Sequence, residues 1–302
     1  MVIDVILEAG RAAVEFALFV MLPIMVVMLA LMRLAEARGL LDWLVDRLAP
    51  VLAPFGLNGL GVLAALQINL VSFAAPVATL SIMEQRGVSN RHIAATLAMV
   101  FAMAQANASF PMFALGLHAA PTFLMSVLGG LVAAAVTYHV VGRDLPMMEP
   151  PIDETVRHPS AEGPKGVLDV INRAGAEAFK IAVGAIPMLV LSLVAVGCLK
   201  RIGLLDLLTH WLTPILVSVS IDPAIVLPTL TKYLAGGTAM LGVLDDMVRN
   251  GQIGAQAINS YAGVLLSPFD LPGVAVLISA GKRVGAVWKP AALGACCGIA
   301  VR

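Results

Sequence analysis

The chain has 302 residues, 60% of them hydrophobic and 13% charged, with a mean hydropathy of +0.94 and a formal net charge of zero. A soluble globular domain carries about a quarter charged residues, so this much apolar surface excludes a water-facing fold. Balanced charge with no run of lysine or arginine argues against nucleic acid as a partner.

Charge-free stretches at 16–32, 51–83 and 93–141 are long enough for helices across a hydrocarbon core of about 30 Å. They are continuous and rich in Ala, Leu, Val and Met, without the alternation that membrane strands need, so the fold class is all-α integral membrane protein. The chain opens with Asp4 and Glu8 before Arg11, the wrong charge for a secretory leader. A spanning helix follows at about 13–34, then an amphipathic, interfacial stretch with Asp42, Asp46 and Arg47. The segment 58–86 is apolar at its ends and interrupted by Gln67, Asn69, Ser72 and Pro76. A second interruption comes at Gln105, Asn107, Ser109 and Pro111, and a spanning helix at 122–141 closes the unit. Residues 142–166 are rich in proline and charge and read as an exposed linker.

Beyond the linker the pattern repeats: positions 23–87 align without a gap to 187–251. Gly39-Leu40-Leu41-Asp42 recurs as Gly203-Leu204-Leu205-Asp206, Pro23 as Pro187, Pro50 as Pro214 and Gly87 as Gly251. A spanning helix is expected at 177–199, an interrupted segment at 222–250 around Thr231, Lys232, Gly236 and Gly237, a second break at Ser267, Pro268, Asp270 and Pro272, and a closing helix at 286–301. Residues 1–141 and 167–302 are therefore two repeats joined by a linker.

Positive charge collects on the cytoplasmic side of membrane proteins. If the interrupted segments at 58–86 and 222–250 are re-entrant hairpins, each unit crosses three times and most lysines and arginines fall on the linker side. If they cross, the charges divide almost evenly. The loop near Ala120 is also uncharged, whereas its counterpart carries Lys282 and Arg283, as inversion requires. The expectation is six crossings and two re-entrant hairpins in two inverted-topology repeats, with the linker in the cytoplasm and both ends outside. Each repeat then has spanning helices, an interfacial amphipathic helix, a re-entrant hairpin and a broken helix.

The GLLD element before Pro50 and Pro214, the segments QINLVSFAAPV and TKYLAGGTAML, and the breaks NASFP and SPFDLP resemble the Gate, or nucleoside recognition, domain. This family is shared by concentrative nucleoside transporters, the ferrous-iron permease and spore maturation proteins. The resemblance covers nearly the whole chain and implies paired inverted hairpin-and-broken-helix units around a central site. The chain looks like a stand-alone pair of such units, and no GxxxxGK[ST] sequence occurs in it.

Backbone groups freed at a break in a membrane helix must be satisfied by protein or by a watered cavity, so breaks mark pores and binding sites. That logic selects Gln67, Asn69 and Ser72 from the first hairpin and Thr231, Lys232 and Thr238 from the second. From the broken helices it selects Asn107, Ser109, Ser267 and Asp270. The competing reading is that these groups hydrogen-bond neighbouring helices. Lys232 and Asp270 stand apart, because a charge at membrane depth costs at least about 2.5 kcal/mol, so a pairing or a place on the solute path is expected.

Glu15, at the start of the first helix, suits an interfacial role, as do His118 and His139 at helix ends. Asp245 and Asp246 suit a solvated cap on the second hairpin. Cys198, Cys296 and Cys297 lack ligand spacing and suit packing, and no metal site is expected. No GxSxG or HExxH sequence supports catalysis. The sequence thus points to a multi-pass protein of the cytoplasmic (bacterial inner) membrane, a secondary transporter or permease for a small polar solute such as a nucleoside. Expected partners are the lipid bilayer, the solute or an ion, and a second copy or another membrane protein. No cofactor is expected, and any coupling is to sodium or protons. The alternatives are a metal-ion permease and a non-transporting partner resembling spore maturation proteins.

Overall fold

The computed structural model describes residues 2–147, 166–203 and 221–302, with scattered positions between 207 and 218. The centre of the linker, 148–165, and most of the second GLLD stretch, 204–206 and 208–210, lie outside the described residues. Among the described residues every regular element is helical.

The first helix starts much earlier than expected. α1 (Val2–Glu15) runs through a π-helical turn at Phe16–Met21 into α2 (Leu22–Ala37). Val5, Ala9 and Ala13, four apart, are buried, while Asp4, Glu8 and Arg11 lie on the exposed side, so the early charges sit on one face of a longer helix. The π turn precedes Pro23 and is closed by the Leu22 N–H donating to the Ala17 carbonyl, one residue further back than in an α-helix. Glu15 is therefore inside the continuous helix rather than at its start. Its carboxylate pairs with Arg249 at 2.6 Å.

α3 (Leu40–Leu52) is entered through Gly39, whose φ of 72° an L side chain would resist; Gly203, its sequence counterpart, also has φ 72°. The first hairpin is α4 (Gly59–Leu70) and α5 (Pro76–Gln85), with the Asn58 side chain capping α4 by accepting from the Gly61 N–H. α6 (Asn90–Ala102) and α7 (Ala106–Ala114) form the first broken helix. α8 (Ala119–Val136) continues through a π turn to Val141. α9 (Val167–Arg201) opens the second half. Its hairpin is α10 (Val226–Ala235) and α11 (Gly237–Arg249), turned at Gly236, φ 92°. Three short helices follow, α12 (Ala255–Ser260), α13 (Ala262–Leu266) and, past the second break, α14 (Leu271–Ile278). α15 (Lys282–Ala286) and α16 (Trp288–Ala300) end the described structure.

Among the described residues four helical spans are long and apolar enough to cross a membrane: Ile3–Ala37, Asn90–Ala114, Ala119–Val141 and Val167–Leu199. Among the described residues, no helix of the second half beyond α9 is long and apolar enough to be counted with them. The halves do not form separate bodies. One core joins α1, α2 and α7 to α9 and α11, and the other joins α4, α5, α6 and α8 to α14, α15 and α16. α6 is buried on every side from Ile93 to Ala102, and α8 crosses α16 on small residues, Gly129 against Gly298 and Ala133 against Gly294. Large apolar side chains such as Phe19 and Leu191 instead cover the outer surface of the long helices, as expected where the solvent is lipid.

Candidate functional site

The two breaks meet. At the first, α6 stops at Ala102 because Met103 and Gln105 are extended, which frees carbonyls behind and N–H groups ahead. The Gln105 N–H donates to the carbonyl of Leu266, the last residue of α13, at 3.0 Å. The Ala104 N–H donates to Ser126 Oγ on α8 at 2.7 Å, and Ser126 in turn donates to Asn69 Oδ1 at 2.6 Å. Asn69 completes its bonding through Nδ2 to the Ala65 carbonyl. The Ala102 carbonyl accepts from the Arg302 guanidinium, whose stem fills the space left by Gly129 and Gly263. The Arg302 side chain thus reaches the helix break from the end of α16.

The second break is charged. Lys232, in the last turn of α10, is fully buried and donates to Ser267 Oγ at 3.1 Å and to the Phe269 carbonyl at 2.9 Å. Its Nζ lies 4.0 Å from Asp270 Oδ2 and 4.0 Å from the centre of the Tyr233 ring. Asp270 caps α14 by accepting from the Gly273 N–H at 2.7 Å. The ammonium thus stands at the carbonyl end of α10 and the carboxylate at the N–H end of α14, each where the helix field favours it.

Of the residues chosen from sequence, Lys232, Ser267 and Asp270 form one cluster, and Asn69 belongs to the first break. Asn107 joins hairpin to broken helix by accepting from the Phe73 N–H at 3.2 Å. Gln67 accepts from Thr79 Oγ1 within the first hairpin, and with Ser72 it lines a cavity of about 370 Å³ beneath the hairpin turn. That cavity is rimmed by Arg33, Glu36 and Glu177, with Arg33 bridging both carboxylates at 2.8 and 2.9 Å. Its volume is in the range of small-molecule sites. Ser109 and Thr231 turn inward on their own helices, donating to the Gln105 and Leu227 carbonyls, and Thr238 is half-buried in the first turn of α11.

Gln105, which the sequence places in the first break but not among the candidate site residues, is the polar group where the two breaks and the turn of the second hairpin meet. Its Nε2 is buried without a hydrogen-bond partner and packs against Gly237 at the turn of the second hairpin. The roles of Ser126, Arg33 and Glu177 had no sequence signal. Two peripheral expectations also change. Asp245 is largely buried and paired with Arg249 at 2.8 Å rather than a solvated cap. Arg283 is engaged by the end of the first hairpin: Glu84 accepts from its N–H, Asn90 Oδ1 from its Nε and the Val88 carbonyl from its guanidinium.

Residues 18–120 match the Gate family model, described as nucleoside recognition. No curated protein matches the sequence significantly. Among solved structures the chain is similar to the concentrative nucleoside transporter CNTnw. A double variant in an outward-facing state has a TM-score of 0.68 and 16% identity, covering 99% of this chain and 81% of that one. CNTnw in an inward-facing substrate-bound state has a TM-score of 0.65 and 18% identity, covering 95% and 73%. The fold is thus that of these transporters, and the chain is a multi-pass, all-helical membrane protein.

Proposed function

We propose that this Gate-domain chain is a secondary transporter for a small polar solute of the nucleoside type, working in the cytoplasmic membrane. The observation that carries the reading is the junction of two helix breaks and a hairpin turn at Gln105. A buried amide donor without a protein partner there is a group that a solute can satisfy, and an unpaired buried donor is costly otherwise. A nucleobase edge presents the acceptors such an amide reads. In this reading the solute enters through the cavity beneath the first hairpin, whose rim carries Arg33, Glu36 and Glu177.

In this reading the two repeats are inverted in topology, the linker is cytoplasmic, and the solute binds where the hairpins and broken helices converge. Sodium or protons supply the coupling. No residue is assigned a catalytic role. Support comes from the Gate match and from the likeness to a transporter captured facing both ways. The test is thermal unfolding of the purified chain against nucleosides, nucleobases, amino acids and divalent ions, since a ligand of the folded state raises its stability. A rise with nucleosides or nucleobases, lost in Gln105→Leu, is the expected result. A rise with divalent ions alone would instead favour a metal permease.

A further inference from the structure

Beside the Arg302 guanidinium, whose charge also acts on it, the groups around Lys232 are a hydroxyl, a backbone carbonyl, a carboxylate and an aromatic face. This is an oxygen donor set without sulfur or imidazole, the kind that suits hard cations. The carbonyl end of α10 adds partial negative charge at the same place. Asp270 is anchored through Oδ1 by the Gly273 N–H, and its Oδ2 faces Nζ at 4.0 Å, too far for a hydrogen bond. A cation at this spot can therefore approach the carboxylate more closely than the tethered ammonium does. Water does not compete, since the side chains of Lys232 and Asp270 are 0% and 3% exposed.

The first repeat supplies no ionisable side chain of its own at the corresponding place. The residue aligned with Lys232 is Ile68, fully buried, and its break is held by the neutral Asn69 and Ser126 with Arg302 on one carbonyl. We propose that Lys232 is a built-in cation: its ammonium occupies a monovalent-cation site formed by Ser267, Phe269, Asp270 and Tyr233, and its removal opens that site to a free ion. Lys232 is thus a positioning residue for the second break. Resting on the transport reading above, it follows that the second repeat draws on no dissociable cation, so coupling through a free ion belongs to other parts of the protein.

The full chain in detergent tests this without any transport measurement. Unfolding temperatures are compared in choline chloride, sodium chloride, potassium chloride and methylammonium chloride at equal ionic strength. Wild type sets the baseline response. Lys232→Ala is expected to unfold at lower temperature in choline and to gain about 3 °C or more, beyond the wild-type response, in at least one of the small cations. Lys232→Ala combined with Asp270→Asn is expected to lose that gain, because the anionic ligand is gone. A Lys232→Ala chain whose response to every small cation equals that of wild type overturns the proposal. So does one that cannot be purified even in sodium or potassium, since the vacated site then accepts no free ion. Cation rescue in a chain that binds no solute would leave this inference standing and count against the proposed function.

Discussion

The Gln105 N–H donates to the Leu266 carbonyl at 3.0 Å, tying the first residues of α7 to the last residue of α13. Two interruptions that lie far apart in sequence are therefore one structural feature. Each leaves backbone groups that water cannot serve inside a membrane, and part of the solution is that each serves the other.

The Gln105 side chain makes no hydrogen bond, so removing it should separate stability from binding. Gln105→Leu is expected to move the unfolding temperature by no more than about 2 °C, because no bond is lost and the volume is kept. Solute affinity should fall about tenfold or more, the worth of a buried hydrogen bond to a ligand. Titration calorimetry on the purified protein reads both quantities' ligand side; undiminished affinity would remove Gln105 from the site.

Asp270 does two things, capping α14 and neutralising Lys232. Losing either partner of a buried pair strands a charge, at about 3–5 kcal/mol. Asp270→Ala should also lose the cap, a further cost of about 1 kcal/mol, whereas Asp270→Asn can keep it. The expected order of stability in denaturant unfolding is wild type, then Asp270→Asn, then Asp270→Ala. Equal stability of the two variants would show that the cap contributes nothing.

Asn69 and Ser126 are coupled through a 2.6 Å bond between α4 and α8. A double-mutant cycle with Asn69→Ala and Ser126→Ala should give about 0.6–1.7 kcal/mol, the range for polar contacts between membrane helices. The Ser126→Ala single variant should exceed this, since it also leaves the Ala104 N–H without its acceptor. Additive single effects would contradict the network.

Glycines set the approach of α8 to α16. A Cβ at Gly298 would fall on the Gly129 carbonyl and against Ala133, backbone and short side chain that cannot swing away. Gly298→Ala is therefore expected to cost about 1–3 kcal/mol, and Gly298→Leu more. At Gly10, where a Cβ meets nothing within 4 Å, alanine should be tolerated. Thermal unfolding of the three variants checks the order.

Much of this site was legible in the sequence because the membrane penalises exceptions. Lys232 and Asp270 in apolar surroundings had to be paired, and they are. Polar and proline-rich interruptions in long apolar runs announced both breaks, and the hairpin turned at Gly236 lies where glycines replaced side chains. Ser126 gave no such signal, since a lone serine in an apolar helix is as compatible with a bond to its own backbone. Arg283 enters the sequence reading only as a loop charge, and Arg302 not at all, because an arginine stem spans enough distance to leave the level of its Cα and the partners of both come from remote parts of the chain. The start of α1 was missed because charges at Asp4, Glu8 and Arg11 suggested an aqueous segment, when they occupy one face of a helix whose other face packs on α9.

The most direct test of the account is uptake by the purified chain reconstituted in liposomes, using radiolabelled nucleosides and nucleobases with an imposed sodium or proton gradient. The account predicts accumulation above protein-free liposomes, competed by unlabelled solute and reduced about tenfold or more by Gln105→Leu, a variant that stays folded. No accumulation of any nucleoside or nucleobase by folded, reconstituted wild type under either gradient would contradict it.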